Sequence, residues 1–208
     1  MPKKIAVIDT NISNLRNVIK VLKFYNYDHS VLQNGKELLN YSHVILPGVG
    51  SFEKGINFLK QNFFIEPLNK FVSKGYFLMG ICLGSQLLLD SSTENGNHEG
   101  LSIISGKVDK IESNNNLKIP NVGWSKIIKK KKIKNKIFTE ISNNDYFYFA
   151  HSYVCFPSEE KHILAQIKFG SQTLTAATQK DNVYGFQFHP ELSSDRGKQI
   201  YFNFLNLS

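Results

Sequence analysis

The first ninety residues alternate between short, wholly apolar runs and longer segments with apolar positions three or four apart. Ile5-Ala6-Val7-Ile8, within Lys3 to Asp9, is an apolar, β-branched run with no polar face, the pattern of a strand buried on both sides. Asn14 to Lys23 follows with Leu15, Val18, Ile19 and Leu22 on one face of a helix. His29 to Leu32 and Ser42 to Pro47 repeat the strand pattern. Helical spacing returns at Phe52 to Gln61 and Ile65 to Lys74, and Tyr76-Phe77-Leu78-Met79 makes a further strand. Strands alternating with helices predict a parallel sheet covered by helices on both faces, with functional groups at the carboxyl ends of the strands.

The rhythm changes in the second half. Gly106 to Glu112, Trp124 to Lys129, Tyr146 to Phe156, His162 to Phe169 and Gln172 to Gln179 read as strands separated by short polar or glycine turns. Added antiparallel pairing is expected there, with a closing helix near Asp195 to Leu205. Ser91 to Gly100 and Ser113 to Asn116 read as surface loops, so 1–208 is expected to form a single domain of α/β class.

Chemistry enters where the fourth strand ends. Gly80-Ile81-Cys82-Leu83-Gly84-Ser85-Gln86 sits between that strand and a second apolar run, Leu87-Leu88-Leu89. Strand, glycine-flanked nucleophile and helix make the layout of a nucleophile elbow, a tight turn that pushes one side chain into the open. A helix starting at Leu83 would also aim free N–H groups at the sulfur of Cys82 and favour its thiolate. A lone cysteine in an apolar segment equally suits a small buried hydrophobe. The second stretch that changes the balance is Gly185-Phe186-Gln187-Phe188-His189-Pro190-Glu191. Alternation along a strand end would put His189 and Glu191 on one side, so that the carboxylate orients an imidazole facing Cys82.

These residues resemble the class I (triad) glutamine amidotransferases: the segment around Cys82 is similar to the family's nucleophile motif, and His189-Pro190-Glu191 to its His-x-Glu motif. Leu46-Pro47-Gly48-Val49-Gly50-Ser51-Phe52 most resembles the oxyanion strand of the glutaminase subunit of imidazole glycerol phosphate synthase, where other members tend to carry Pro-Gly-Pro-Gly or Pro-Gly-Gly. The resemblance runs from Ile5 to about Leu205. It implies a flavodoxin-like fold and hydrolysis of the glutamine side-chain amide by a Cys82, His189, Glu191 triad. The backbone N–H groups of Leu83 and Val49 would be the oxyanion donors. An oxyanion strand that reorients on activation is implied too, which Gly48 and Gly50 would permit; the same glycines also suit a plain strand-to-helix turn. Gln86 matches a position that contacts the substrate glutamine and His151-Ser152-Tyr153 resembles a segment lining the same pocket, although a histidine such as His151 is by itself more often structural.

The resemblance further implies a heterodimer with a TIM-barrel cyclase. Ammonia would pass to that partner for imidazole glycerol phosphate and AICAR formation, serving histidine and purine synthesis. Three departures fall in segments resembling the cyclase-facing surface: Asp9-Thr10-Asn11-Ile12-Ser13-Asn14-Leu15 for a usual Asp-Tyr-Gly-Met-Gly-Asn-Leu, Asn121-Val122-Gly123-Trp124-Ser125 for His-Met-Gly-Trp-Asn, and Leu192 for Lys. Ser85 stands for a usual Met. A paralogue supplying ammonia to a synthase that amidates a bacterial surface sugar is therefore the alternative.

Composition changes little. With 41% hydrophobic residues, a chain of 208 can bury a substantial core. No apolar run reaches the roughly 18 residues of a membrane span, and the N-terminus has no signal-peptide core, so a cytoplasmic protein without membrane contact is expected. Cys82 and Cys155 do not suggest a disulfide framework, and no Cys/His spacing suggests a metal or cofactor. The net charge of +8 is local: without the seven lysines between Lys126 and Lys136, 18 basic residues face 17 acidic ones. That run lacks interleaved aromatics, so it reads as a solvated loop rather than a nucleic-acid site.

Overall fold

The computed structural model describes residues 3–113, 117–130 and 136–208. Its first half follows the predicted alternation: β1 (Ile5–Ile8), α1 (Leu15–Phe24), β2 (His29–Leu32), β3 (His43–Gly48), α2 (Phe52–Gln61), α3 (Ile65–Ser73), β4 (Phe77–Cys82) and α4 (Leu83–Gln86). Two-residue strands β5 (Ser91–Ser92) and β6 (His98–Glu99) precede β7 (Gly106–Lys110), β8 (Asn121–Lys126) and β9 (Ile128–Lys129). The chain continues through β10 (Tyr146–His151), β11 (Tyr153–Pro157), β12 (Ile163–Phe169), β13 (Gln172–Lys180) and β14 (Val183–Phe186) to α5 (Ser194–Leu205).

An eight-stranded sheet runs in the order β2-β1-β3-β4-β14-β13-β12-β9. Its first five strands are parallel, and from β14 onward the pairing is antiparallel. Strand alternation sorts the core into two layers. Ile5, Val7, Ile45 and Met79 pack against Val18 and Leu22 of α1 and Ile200 and Phe204 of α5. Ala6, Ile8, Val44 and Leu46 pack on the other face against Phe52, Ile56 and Leu59 of α2 and Leu68 and Phe71 of α3. Each such Leu, Ile or Phe contributes about 1.5–3 kcal/mol by leaving water, which explains why these strands lack a polar face. None of the described helices is long and apolar enough to cross a membrane.

The structure corrects several expected boundaries. Tyr146 to Phe156 is not one strand: it breaks at Ser152 into β10, paired with β8, and β11, paired with β7 in a separate four-stranded sheet. The expected strand Trp124 to Lys129 likewise divides, because Ile127 turns into the core and donates its N–H to the Asp145 carbonyl, leaving β9 to pair with β12. Ser91 to Gly100 carries β5 and β6 instead of being wholly loop.

The helix after Cys82 is one turn long. Leu87, Leu88 and Leu89 direct their carbonyls to the N–H groups of Leu101, Ile103 and Ser102, so those acceptors cannot continue a helix. The expected dipole at Cys82 is correspondingly that of a single turn. Of the basic run, residues 131–135 lie outside the described residues, as do 114–116 of the expected Ser113 to Asn116 loop. The Lys126 ammonium lies 5.3 Å from the centre of the Tyr146 ring, Lys129 bonds the Ile141 carbonyl, and Lys130 pairs with Glu160 at 2.7 Å.

Candidate active site

Cys82 is the last residue of β4 and pairs with Gly48 at the end of β3. Its φ of 51° and ψ of −107° are strained for a residue with a side chain, as an elbow requires. The turn is tight enough to need glycine on both sides. A β-carbon on Gly84 would stand 1.8 Å from the Leu46 carbonyl oxygen, and one on Gly80 would stand 2.6 Å from the Gly84 carbonyl oxygen.

Three residues past β14, His189 is fixed from two sides. Its N–H donates to the Tyr148 carbonyl at 2.9 Å, and its own carbonyl accepts from Ser193 Oγ at 2.6 Å. Ser193 Oγ in turn accepts the Tyr148 N–H at 2.9 Å. Glu191 lies in a 3₁₀ turn, Pro190–Leu192, rather than on the expected strand end, yet its Oε1 sits 2.8 Å from His189 Nδ1. Burial alone would pull the imidazole down in pKa. Its interactions with Cys82 and Glu191 outweigh burial and push it up to about 10. An imidazolium held between a thiol sulfur and a carboxylate can form an ion pair with Cys82 thiolate and later release a proton. Pro47-Gly48, Cys82 and His189 thus meet at the carboxyl ends of β3, β4 and β14.

A cavity of ≈ 510 Å³ opens beside the sulfur, lined among others by Val49, Gln86, Glu94, Pro120, Val122 and the segment His151 to Tyr153. Gln86 Nε2 is occupied by the Tyr153 carbonyl at 2.9 Å and by Gln187 Oε1 at 3.2 Å, while Gln187 Nε2 reaches Cys82 Sγ at 3.8 Å. Gln86 therefore braces the wall. Both nitrogens of His151 are also engaged, with Nδ1 against the Tyr153 carbonyl at 2.8 Å and Nε2 against Asn121 Nδ2 at 3.0 Å. Burial, opposed by the bond to Tyr153, lowers its pKa to about 4, so the ring is neutral: Nδ1–H donates and Nε2 accepts from the Asn121 amide. Asn121, one of the departures noted in the sequence, is the complement that this tautomer needs.

The expected oxyanion donors are not placed alike. Leu83 opens α4, where a first-turn N–H has no partner inside the helix. Val49 N–H instead donates to the Ile12 carbonyl at 2.7 Å. Gly50, with φ of 97°, lets the chain turn at this point, and Gly48 lies against Leu83. Asn11, another departure, has φ of 58°, a conformation Asn tolerates better than most residues.

Sequence reading missed Glu94. Its Oε2 accepts the Phe52 N–H at 2.7 Å, capping α2 in place of Ser51, whose side chain makes no capping bond. No local signal pointed to it, because cap and helix are 42 residues apart. Among the described residues, no group of three or more His, Cys, Asp or Glu is placed to hold a metal ion.

The family model for glutamine amidotransferase class-I matches residues 6–207. The chain belongs to this family. Among curated amidotransferase relatives, it is 40% identical over 200 residues to imidazole glycerol phosphate synthase subunit HisH of Caldanaerobacter subterraneus subsp. tengcongensis, covering 96% of each chain. It is 36% identical over 203 residues to the HisH subunit of Chlorobium chlorochromatii, covering 98% of this chain and all of the relative. Solved structures show the same amidotransferase fold at lower identity. PurLQS from Thermotoga maritima superposes with a TM-score of 0.74 at 20% identity, covering 99% of each chain. A glutamine amidotransferase from the same organism gives 0.65 at 17%, covering 96% of this chain and 80% of that one.

Proposed function

We propose that this protein is the glutaminase subunit of an imidazole glycerol phosphate synthase, acting as one catalytic domain over 1–208 and passing ammonia to a TIM-barrel cyclase in histidine biosynthesis. The observation that carries the reading is near-full-length identity of 36–40% to subunits of that name. The arrangement of Cys82 and His189 at the strand ends, with Glu191 in the following turn, supports it.

In this mechanism Cys82 thiolate attacks the side-chain amide carbon of glutamine, and His189 delivers a proton to the departing nitrogen, releasing ammonia and leaving a thioester. His189 then takes a proton from water, whose oxygen attacks the thioester, and glutamate leaves as the sulfur is restored. Glu191 orients the imidazole throughout. Leu83 N–H stabilises the tetrahedral oxyanion. Val49 N–H joins it only after leaving the Ile12 carbonyl, so the protein without its partner is expected to be a poor glutaminase.

The surface-sugar alternative draws on the cavity mouth. Val122, which lines the cavity, and Trp124 are 58% and 51% exposed in the segment that departs from the family pattern, an apolar surface open to a synthase partner. Glutamate release from glutamine, measured alone and with the histidine-pathway cyclase plus its nucleotide ligand, separates the two, with Cys82→Ser as the blank. Strong stimulation by the cyclase is expected. Labelling of Cys82 by a glutamine-like electrophile without any stimulation would instead assign the chain to another ammonia-using synthase.

A further inference from the structure

Two buried oxygens at the back of the triad have no hydrogen-bond partner among the described residues: Glu191 Oε2 and the hydroxyl of Tyr201. Glu191 uses only Oε1 on His189, and its side chain is 2% exposed. Tyr201 is fully buried in the layer that α5 packs against the sheet. A buried carboxylate oxygen needs a donor, and a buried tyrosine hydroxyl ordinarily finds an acceptor.

The helix places them on one side. Gly197 faces the turn that carries Glu191, since a β-carbon there would stand 1.9 Å from the Pro190 carbonyl oxygen. Tyr201 follows Gly197 by four residues, so it projects from the same face of α5 one turn further along. Burial first, and then the negative charge of Glu191, hold the Tyr201 phenol well above its ordinary pKa range, which leaves it protonated and able to donate.

We propose that Tyr201 is a positioning residue for the triad: its hydroxyl donates to Glu191 Oε2 through one water and holds the carboxylate where Oε1 engages His189 Nδ1. The inference rests on the proposed triad chemistry and assigns a residue outside the recognised motifs. Losing the donor leaves Glu191 less firmly oriented, the imidazolium less supported and the Cys82 sulfur less reactive.

The test is the rate of Cys82 alkylation by iodoacetamide at pH 7 in the full chain, which needs no partner, for wild type, Tyr201→Phe, Glu191→Gln and the double variant. Tyr201→Phe should slow Cys82 on the order of tenfold per folded molecule, with no further slowing in the Glu191→Gln background. In the complex with the cyclase, kcat should fall with KM unchanged. A wild-type alkylation rate in Tyr201→Phe, or full additivity with Glu191→Gln, overturns the inference. If Glu191→Gln itself leaves Cys82 unaffected, the triad reading fails and this one with it; if only Tyr201→Phe is silent, the triad stands. Should Tyr201→Phe not fold, 3-fluorotyrosine at position 201 retains the hydroxyl. Its fluorine resonance should shift in Glu191→Gln, and an unmoved resonance overturns the proposal.

Discussion

Val49 N–H donates to the Ile12 carbonyl at 2.7 Å, so the peptide beside the nucleophile is tied to the loop after β1. The bond joins the segment that would complete the oxyanion hole to one of the segments that depart from the family pattern. Whatever moves Ile12 also frees Val49, which gives a partner docking near Asn11 to Ser13 a physical handle on catalysis.

Hydrogen exchange at Val49 checks this directly. In the protein alone its amide should be protected; in an active complex with substrate analogue it should exchange on the order of tenfold faster or change its chemical shift as its acceptor changes. Unaltered protection and shift in a complex that turns over glutamine would show that Val49 N–H is not the second oxyanion donor.

Gly84→Ala should disable the elbow without touching any reactive group. Its β-carbon would meet the Leu46 carbonyl oxygen at 1.8 Å, a backbone atom that no rotamer change can move, so β3 and the elbow must separate. A loss of about 1–3 kcal/mol in urea unfolding is expected, together with strongly reduced labelling of Cys82 by a glutamine-like electrophile. Gly123→Ala is the contrast for space alone, since among the described residues nothing lies within 4 Å of its added carbon; its φ of 141° still strains the backbone.

Asn121→Leu removes the only donor that His151 Nε2 receives among the described residues. The variant should be destabilised by about 1–3 kcal/mol, the range for leaving a buried acceptor unmade. Urea midpoints with an unchanged m-value measure it. Glutamine KM should rise as well, because His151 to Tyr153 form one wall of the cavity.

His43 should impose an acid limit on stability. It packs against Phe77 and Phe204, and burial, reinforced by Lys3, lowers its pKa from 6.5 to about 4. Between those values the unfolded chain binds a proton that the folded chain does not, so stability falls as pH drops from 6.5 toward 4. His43→Leu should flatten this fall by on the order of 2 kcal/mol, read from thermal midpoints across that range. The remaining slope belongs in part to His151, whose pKa is lowered to about 4 as well.

The amino-acid sequence by itself determined the parallel half of the fold and the reacting groups. Ile5 to Ile8 and His43 to Gly48 are strands buried on both faces, and such burial leaves an uninterrupted apolar run in the chain. The Cys82 elbow is equally local, since Gly80 and Gly84 are required within one turn of the residue they serve. His189 and Glu191 were legible for the same reason, although a 3₁₀ turn and not strand alternation brings them together. The tertiary structure alone decided which polar groups are already satisfied. Ile12 takes Val49 N–H across 37 residues, Glu94 caps α2 across 42, Asn121 serves His151 across 30, and the carbonyls of Leu87 to Leu89 are claimed by residues past Gly100. Each is a bond between segments with no sequence relationship to one another. Periodicity reports which side of an element is buried, and says nothing of which distant backbone or carboxylate will answer a given donor.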